Sequence, residues 1–233
     1  MAARPVTYYW TSTTPPRAGR ITTSPTEIRD ILIAYLVLTL DLTLILGGTT
    51  VLAAGPAAGI SFNVSIIGLA AAAAFTGFLA HELAHKVAAQ RRHCWAEFRM
   101  FPLGLVLSVF TAFIGVLFAA PGATMVGGMN DIRSWGRTSL AGPATNLAFA
   151  TAFFAGAYAA AFLGAGGFAL YALVVLGFFN AWFAAFNLLP LGPLDGRKVL
   201  NWDPTVWMLA MSASAALVVF GFATLISQHL LGV

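Results

Sequence analysis

Runs of about twenty apolar residues, each long enough to cross a bilayer as a helix, recur along this chain between short polar or glycine-rich connections. Few folds accept that pattern. Of the 233 residues, 59% are hydrophobic and 9% charged, and the mean hydropathy is +0.85. Soluble domains carry about 25% charged residues. A chain this poor in charge cannot clothe a water-facing surface, so its surplus apolar surface faces lipid. The expected fold is an all-α polytopic membrane protein with about five to six transmembrane helices.

The apolar runs fall at 31–53, 62–90, 103–120, 139–163, 167–189 and 206–231. Residues 1–30 read as a polar arm, and 31–233 as one membrane domain with its core at 62–200. Within the arm, Ser24-Pro25-Thr26-Glu27 has the pattern of a helix start, with Ser24 as cap and Glu three residues on. No cleavable leader is expected, because 1–30 lacks an apolar core, so the first span acts as an uncleaved anchor. The single cysteine, Cys94, excludes an internal disulfide. Neutral turns are expected at Gly55-Pro56 and at 164–167.

The formal net charge is +4, and the basic residues gather in the arm and three connecting stretches. That distribution marks cytoplasmic loops of a multi-pass cell-membrane protein, and it argues against nucleic acid as a partner. If 103–120 crossed fully, the loops with Arg133, Arg137, Arg197 and Lys198 would fall outside. If 103–120 enters and returns on one side, every basic loop is cytoplasmic and both neutral turns are external. A re-entrant element at 103–120 is therefore expected, with the N-terminus and the opening of any site near 81–90 cytoplasmic.

His81-Glu82-Leu83-Ala84-His85 carries the chemistry. Two histidines four apart share one helix face and can bind one Zn²⁺, with Glu82 beside them to deprotonate a water. Ionisable groups within a span cost about 3 kcal/mol each on insertion scales, so three together imply a use. Zinc needs a third protein ligand, and Asp195 is the best candidate. It follows a span that Pro190 and Pro193 break, and irregular backbone at that depth must line protein or a cavity. Taken alone, Asp195-Gly196 would read as a turn leaving a helix. The ligands can meet only if an even number of crossings separates them, which again requires that 103–120 does not cross.

Three motifs then line up in order: HELAH; Ala141-Gly142-Pro143-Ala144-Thr145-Asn146; and the run from Asn187 through Pro190 and Pro193 to Asp195-Gly196. Together they bracket half the chain, and the sequence resembles the site-2 protease family of intramembrane zinc metalloproteases. The resemblance implies His81, His85 and Asp195 as ligands of one zinc, with Glu82 as catalytic base. It implies Asn187 close to the substrate carbonyl, Asn146 near the active site, and a membrane-embedded hairpin or loop after HELAH. The regulatory soluble modules of many members are not seen, which leaves regulation and substrate choice open, as is the oligomeric state.

The expected activity is hydrolysis of a peptide bond in or next to a transmembrane segment of a membrane-protein substrate. Two rivals are a catalytically silent zinc protein that captures transmembrane helices, and a cation transporter. The transporter needs polar residues through both halves of the bilayer, and apart from Asp41 they sit near one face. Asp41 reads as a water-path or structural acid. Outside the family, Asn146 reads as an interhelical hydrogen-bonding residue and Asn187 as a cap of broken backbone. His93, His229, Trp202 and Trp207 read as interfacial residues.

Overall fold

The computed structural model describes residues 21–47, 63–117 and 121–231. The Gly55-Pro56 turn and the end of the expected first span lie outside these residues. Helix α1 (Pro25–Leu46) starts where the cap pattern places it: Ser24 Oγ accepts from the Glu27 N–H at 3.2 Å, and Pro25 opens the helix. It thus begins before the expected 31, with two acids near its start, Glu27 and Asp30, polar yet buried. Helix α2 (Val64–Gln90) is capped by Asn63 and contains a π-helical turn, Phe75–Leu79, just ahead of the HELAH run.

After α2 come strand β1 (Trp95–Met100), helix α3 (Pro102–Phe113) and strand β2 (Gly122–Gly127). The strands pair antiparallel, from Trp95 with Gly127 to Met100 with Gly122. Because Met100 and Gly122 are partners, the segment between them leaves and comes back to the same place. A twelve-residue helix on a segment that returns to its starting strand agrees with the re-entrant element expected at 103–120. Leu105, Ser108 and Ala112 of α3 are buried, while Leu103, Val106 and Phe110 face outward.

Helix α4 (Ile132–Phe162) is capped by Asp131. It takes in residues 132–138, so Arg133 and Arg137 sit on its first turns and not in a connection. Helix α5 (Gly167–Asn187) follows, then the short α6 (Asp195–Trp202), and finally α7 (Pro204–Leu231). The stretch 190–204, expected as a loop, thus holds a helix. By length and composition α2, α4, α5 and α7 can each cross a membrane. Helix α1 is 22 residues long but carries Glu27, Arg29, Asp30 and Asp41; with it the count reaches five. Asp41 is fully buried and forms no ion pair among the described residues.

The main core joins α1, α2, α3, α5 and β1. Phe78, in the π turn, meets Phe98 of β1 edge to face at 5.5 Å, which seats the hairpin beside HELAH. The outer edge of β1 is closed by carboxylates of α1: Phe98 N–H donates to Glu27 Oε1 (3.1 Å) and Met100 N–H to Asp30 Oδ2 (3.4 Å). A bare strand edge is a pairing hazard, and here side chains satisfy it. Glu27 also accepts from Lys86 Nζ at 2.6 Å, with both residues 2% exposed. Removing one member leaves a buried charge alone, so Lys86→Met should cost about 3–5 kcal/mol. Thermal unfolding in detergent measures this, and adding Glu27→Gln should recover part of the loss. Trp207 Nε1–H donates to the Leu188 carbonyl at 2.8 Å, which ties α7 to the end of α5, and Trp202 lies under the Arg137 guanidinium, which ties α6 to α4.

Candidate metal centre

Helical spacing on α2 puts His81 and His85 one turn apart, with their Nε2 atoms 2.9 Å from each other. Asp195 arrives from the far side of the chain as the first residue of α6. The break at Pro190 and Pro193 ends α5 and turns the chain back over itself. Gly196 makes this return possible, since a Cβ there would collide with the carbonyls of Leu188 and Leu189. Asp195 Oδ2 lies 2.9 Å from His85 Nε2 and 3.4 Å from His81 Nε2. All three residues are buried, and one donor atom of each lies within 4.8 Å of the others.

The protons can be placed from the partners. His85 Nδ1 sits 2.8 Å from the Thr138 carbonyl, which only accepts, so Nδ1 carries a hydrogen. His81 Nδ1 sits 2.5 Å from Asn146 Oδ1. The Asn146 nitrogen donates to the Gly77 carbonyl at 2.9 Å, which turns its oxygen toward His81 and again places a hydrogen on Nδ1. In the neutral rings both Nε2 atoms are then bare and aim at each other and at a carboxylate. Three lone-pair donors this close repel unless a cation lies among them. Two imidazoles and a carboxylate are a common catalytic zinc set, so these residues fit that ion.

Burial raises the Asp195 carboxyl. A positive charge among these donors, a proton on His85 or an ion, overrules it, with Lys198 adding to it, and holds the group well below the usual carboxylate range. Lys198 Nζ lies 3.6 Å from Asp195 Oδ1, so the carboxylate turns one oxygen to the histidines and the other to the lysine.

Glu82 lies beside the pair, almost buried. Its Oε2 accepts from the N–H and the hydroxyl of Thr124 on β2, at 2.9 and 2.8 Å. One pocket is lined by His81, Glu82, His85, Thr124, Asn187 and Asp195. Asn187 thus faces it, although its Nδ2 donates to the Phe183 carbonyl at 3.0 Å. Pro193 also borders the pocket; Pro190 is exposed and lies away from it. The tight roof is Gly142 of α4, where a Cβ would stand 2.6 Å from His81 Nε2 and closer still to His85 Nε2.

Sequence reasoning missed Thr124, Thr138 and Asn180 as neighbours of the site. Thr138 acts through its backbone and Thr124 from an unforeseen strand, so neither left a signal. Asn180 did leave one, as an amide well inside an apolar span.

Over 154 residues, 64% of this chain, the sequence is 35% identical to a Methanocaldococcus jannaschii protein named "Putative zinc metalloprotease MJ0611", and the match covers 78% of that protein. No family model matches the chain. No solved structure matches it.

Proposed function

The chain belongs to the same zinc metalloprotease family as that archaeal relative, and from this premise we propose that it is an intramembrane endopeptidase of the site-2 protease type. The observation that carries the reading is the convergence of two bare imidazole nitrogens and the Asp195 carboxylate beside Glu82, on helices long and apolar enough to cross a bilayer. His81, His85 and Asp195 hold the zinc. Bound there, the ion supplies Lewis-acid polarisation of the scissile carbonyl and makes a water acidic enough to lose its proton near neutrality.

The protein's own groups do the rest. Glu82 takes the proton from the attacking water and delivers it to the leaving amine, while Thr124 fixes one of its oxygens. Asn187 keeps a second amide hydrogen beyond the one given to Phe183, and turns it toward the oxygen on which charge develops. Asn146 acts on the reaction through His81. A helical substrate has its carbonyls bonded internally and must unwind before attack. Gly122, Thr124 and Val126 line the pocket along β2, and an extended segment can run beside them. Segments with Gly, Pro or Asn near the cut unwind most easily and are preferred. The basic residues after α2 and in the first turns of α4 and α6 support an opening and an N-terminus on the cytoplasmic side.

The test uses the full-length protein in lipid vesicles with a reporter carrying one transmembrane segment, its products mapped by mass spectrometry. Cuts within or next to that segment are expected, lost on zinc chelation and restored by added zinc. Cutting that survives complete zinc removal, or cuts confined to soluble loops, would sink the proposal.

A further inference from the structure

A chain of hydrogen bonds runs away from the metal site through three helices. His81 Nδ1–H donates to Asn146 Oδ1 on α4 (2.5 Å). Asn146 Nδ2 donates to Asn180 Oδ1 on α5 (3.1 Å). Asn180 Nδ2 donates to Thr76 Oγ1 in the π turn of α2 (2.9 Å). The Thr76 hydroxyl donates in turn to the Ala72 carbonyl (2.9 Å). Side branches end on carbonyls too: Asn146 on Gly77, Asn180 on Leu176.

Every terminus is a backbone carbonyl, which can only accept, so the chain has one direction. Turning either amide over would set oxygen against oxygen at one end and N–H against N–H at the other. Asn146 and Asn180 are both completely buried, and Thr76 nearly so, so water cannot repair such a mismatch. The π turn contributes by widening the helix: the Ala80 N–H reaches back to the Phe75 carbonyl, and the Thr76 and Gly77 carbonyls face Asn146.

We propose that Asn180 and Thr76 are positioning residues of the metal centre, fixing through Asn146 the His81 tautomer that presents Nε2 to the ion. Neither touches the ion or the substrate. Partners of this kind behind a metal-binding imidazole change affinity by about 10–100-fold when removed. The inference rests on His81 being a ligand, as proposed above. A simple clamp between α2, α4 and α5 would show the same bonds, but its loss would lower stability without altering the metal.

The experiment measures zinc affinity by chelator competition and the visible absorption of the cobalt-substituted protein, together with unfolding of the metal-free form. Asn180→Ala should weaken zinc binding about tenfold or more and alter the cobalt spectrum. Asn180→Asp, as the neutral acid, keeps an acceptor for Asn146 and one donor for the Leu176 carbonyl, and should restore part of both. Thr76→Val, nearly isosteric, should shift them in the same direction by less, and serves if Asn180→Ala does not fold. Wild-type affinity and spectrum in Asn180→Ala and Thr76→Val, with metal lost in His81→Ala, overturns the proposal. So does lowered metal-free stability with zinc binding unchanged. If His81→Ala itself keeps its zinc, the failure lies in the ligand assignment.

Discussion

Glu82→Gln should lower peptide-bond cleavage by about 10²–10⁴-fold while zinc stays bound. The substitution keeps the shape of the side chain, and a glutamine carbonyl can still accept from the Thr124 N–H and hydroxyl that hold Oε2. What disappears is a group able to take a proton from water and return it to the leaving nitrogen. In the proposed site the metal donors are His81, His85 and Asp195, so zinc content should not change. The same variant separates an enzyme from a silent zinc protein that only captures helices: capture survives the change, and cleavage does not. Single-turnover cleavage of a transmembrane reporter, with metal analysis on the same preparation, gives both numbers. Cleavage within tenfold of wild type would remove Glu82 from the role of base, and loss of zinc would show that the carboxylate is needed to build the site.

The apolar helices and the candidate metal site are legible in the sequence for the same reason: both rest on short-range patterns. A carboxylate between two histidines at i and i+4 is a statement about one helix, and Ser24-Pro25-Thr26-Glu27 is a statement about one turn. Even the turning back of 103–120 follows from counting, since basic loops and the meeting of His81 with Asp195 allow only an even number of crossings. The strands that flank it were not legible. Residues 95–100 follow an arginine pair and read as a polar connection, and 122–127 begin and end on glycine and read as a turn. Each strand is six residues long and exists because its partner and a helix carboxylate supply its hydrogen bonds, from α1 for β1 and from Glu82 of α2 for β2. Helix α6 was hidden by the prolines that precede it. Asn180 shows the limit most clearly, because its partners, Thr76 and Asn146, are 104 and 34 residues away, and no spacing rule links them.

Gly142→Ala should empty the metal centre more completely than loss of any distant partner. A Cβ at this position would stand 2.6 Å from His81 Nε2 and nearer to His85 Nε2, closer than real Cβ atoms come to any neighbour. The strain cannot be relieved by moving α4 away. The same helix carries the Thr138 carbonyl that holds His85 Nδ1 and the Asn146 oxygen that holds His81 Nδ1, so retreat breaks both bonds. Nor can the imidazoles swing aside and still point Nε2 at Asp195. Whichever part yields, the three donors no longer converge. Zinc should fall from about one per chain to near zero after dialysis, and hydrolysis should vanish with it. Gly156→Ala on the same helix is the control, because its added Cβ meets only Leu173 at 3.9 Å, an ordinary contact, and should leave zinc and activity in place. Full zinc retention by Gly142→Ala would mean that the ion sits away from the two imidazole Nε2 atoms, and the site would have to be rebuilt around other donors.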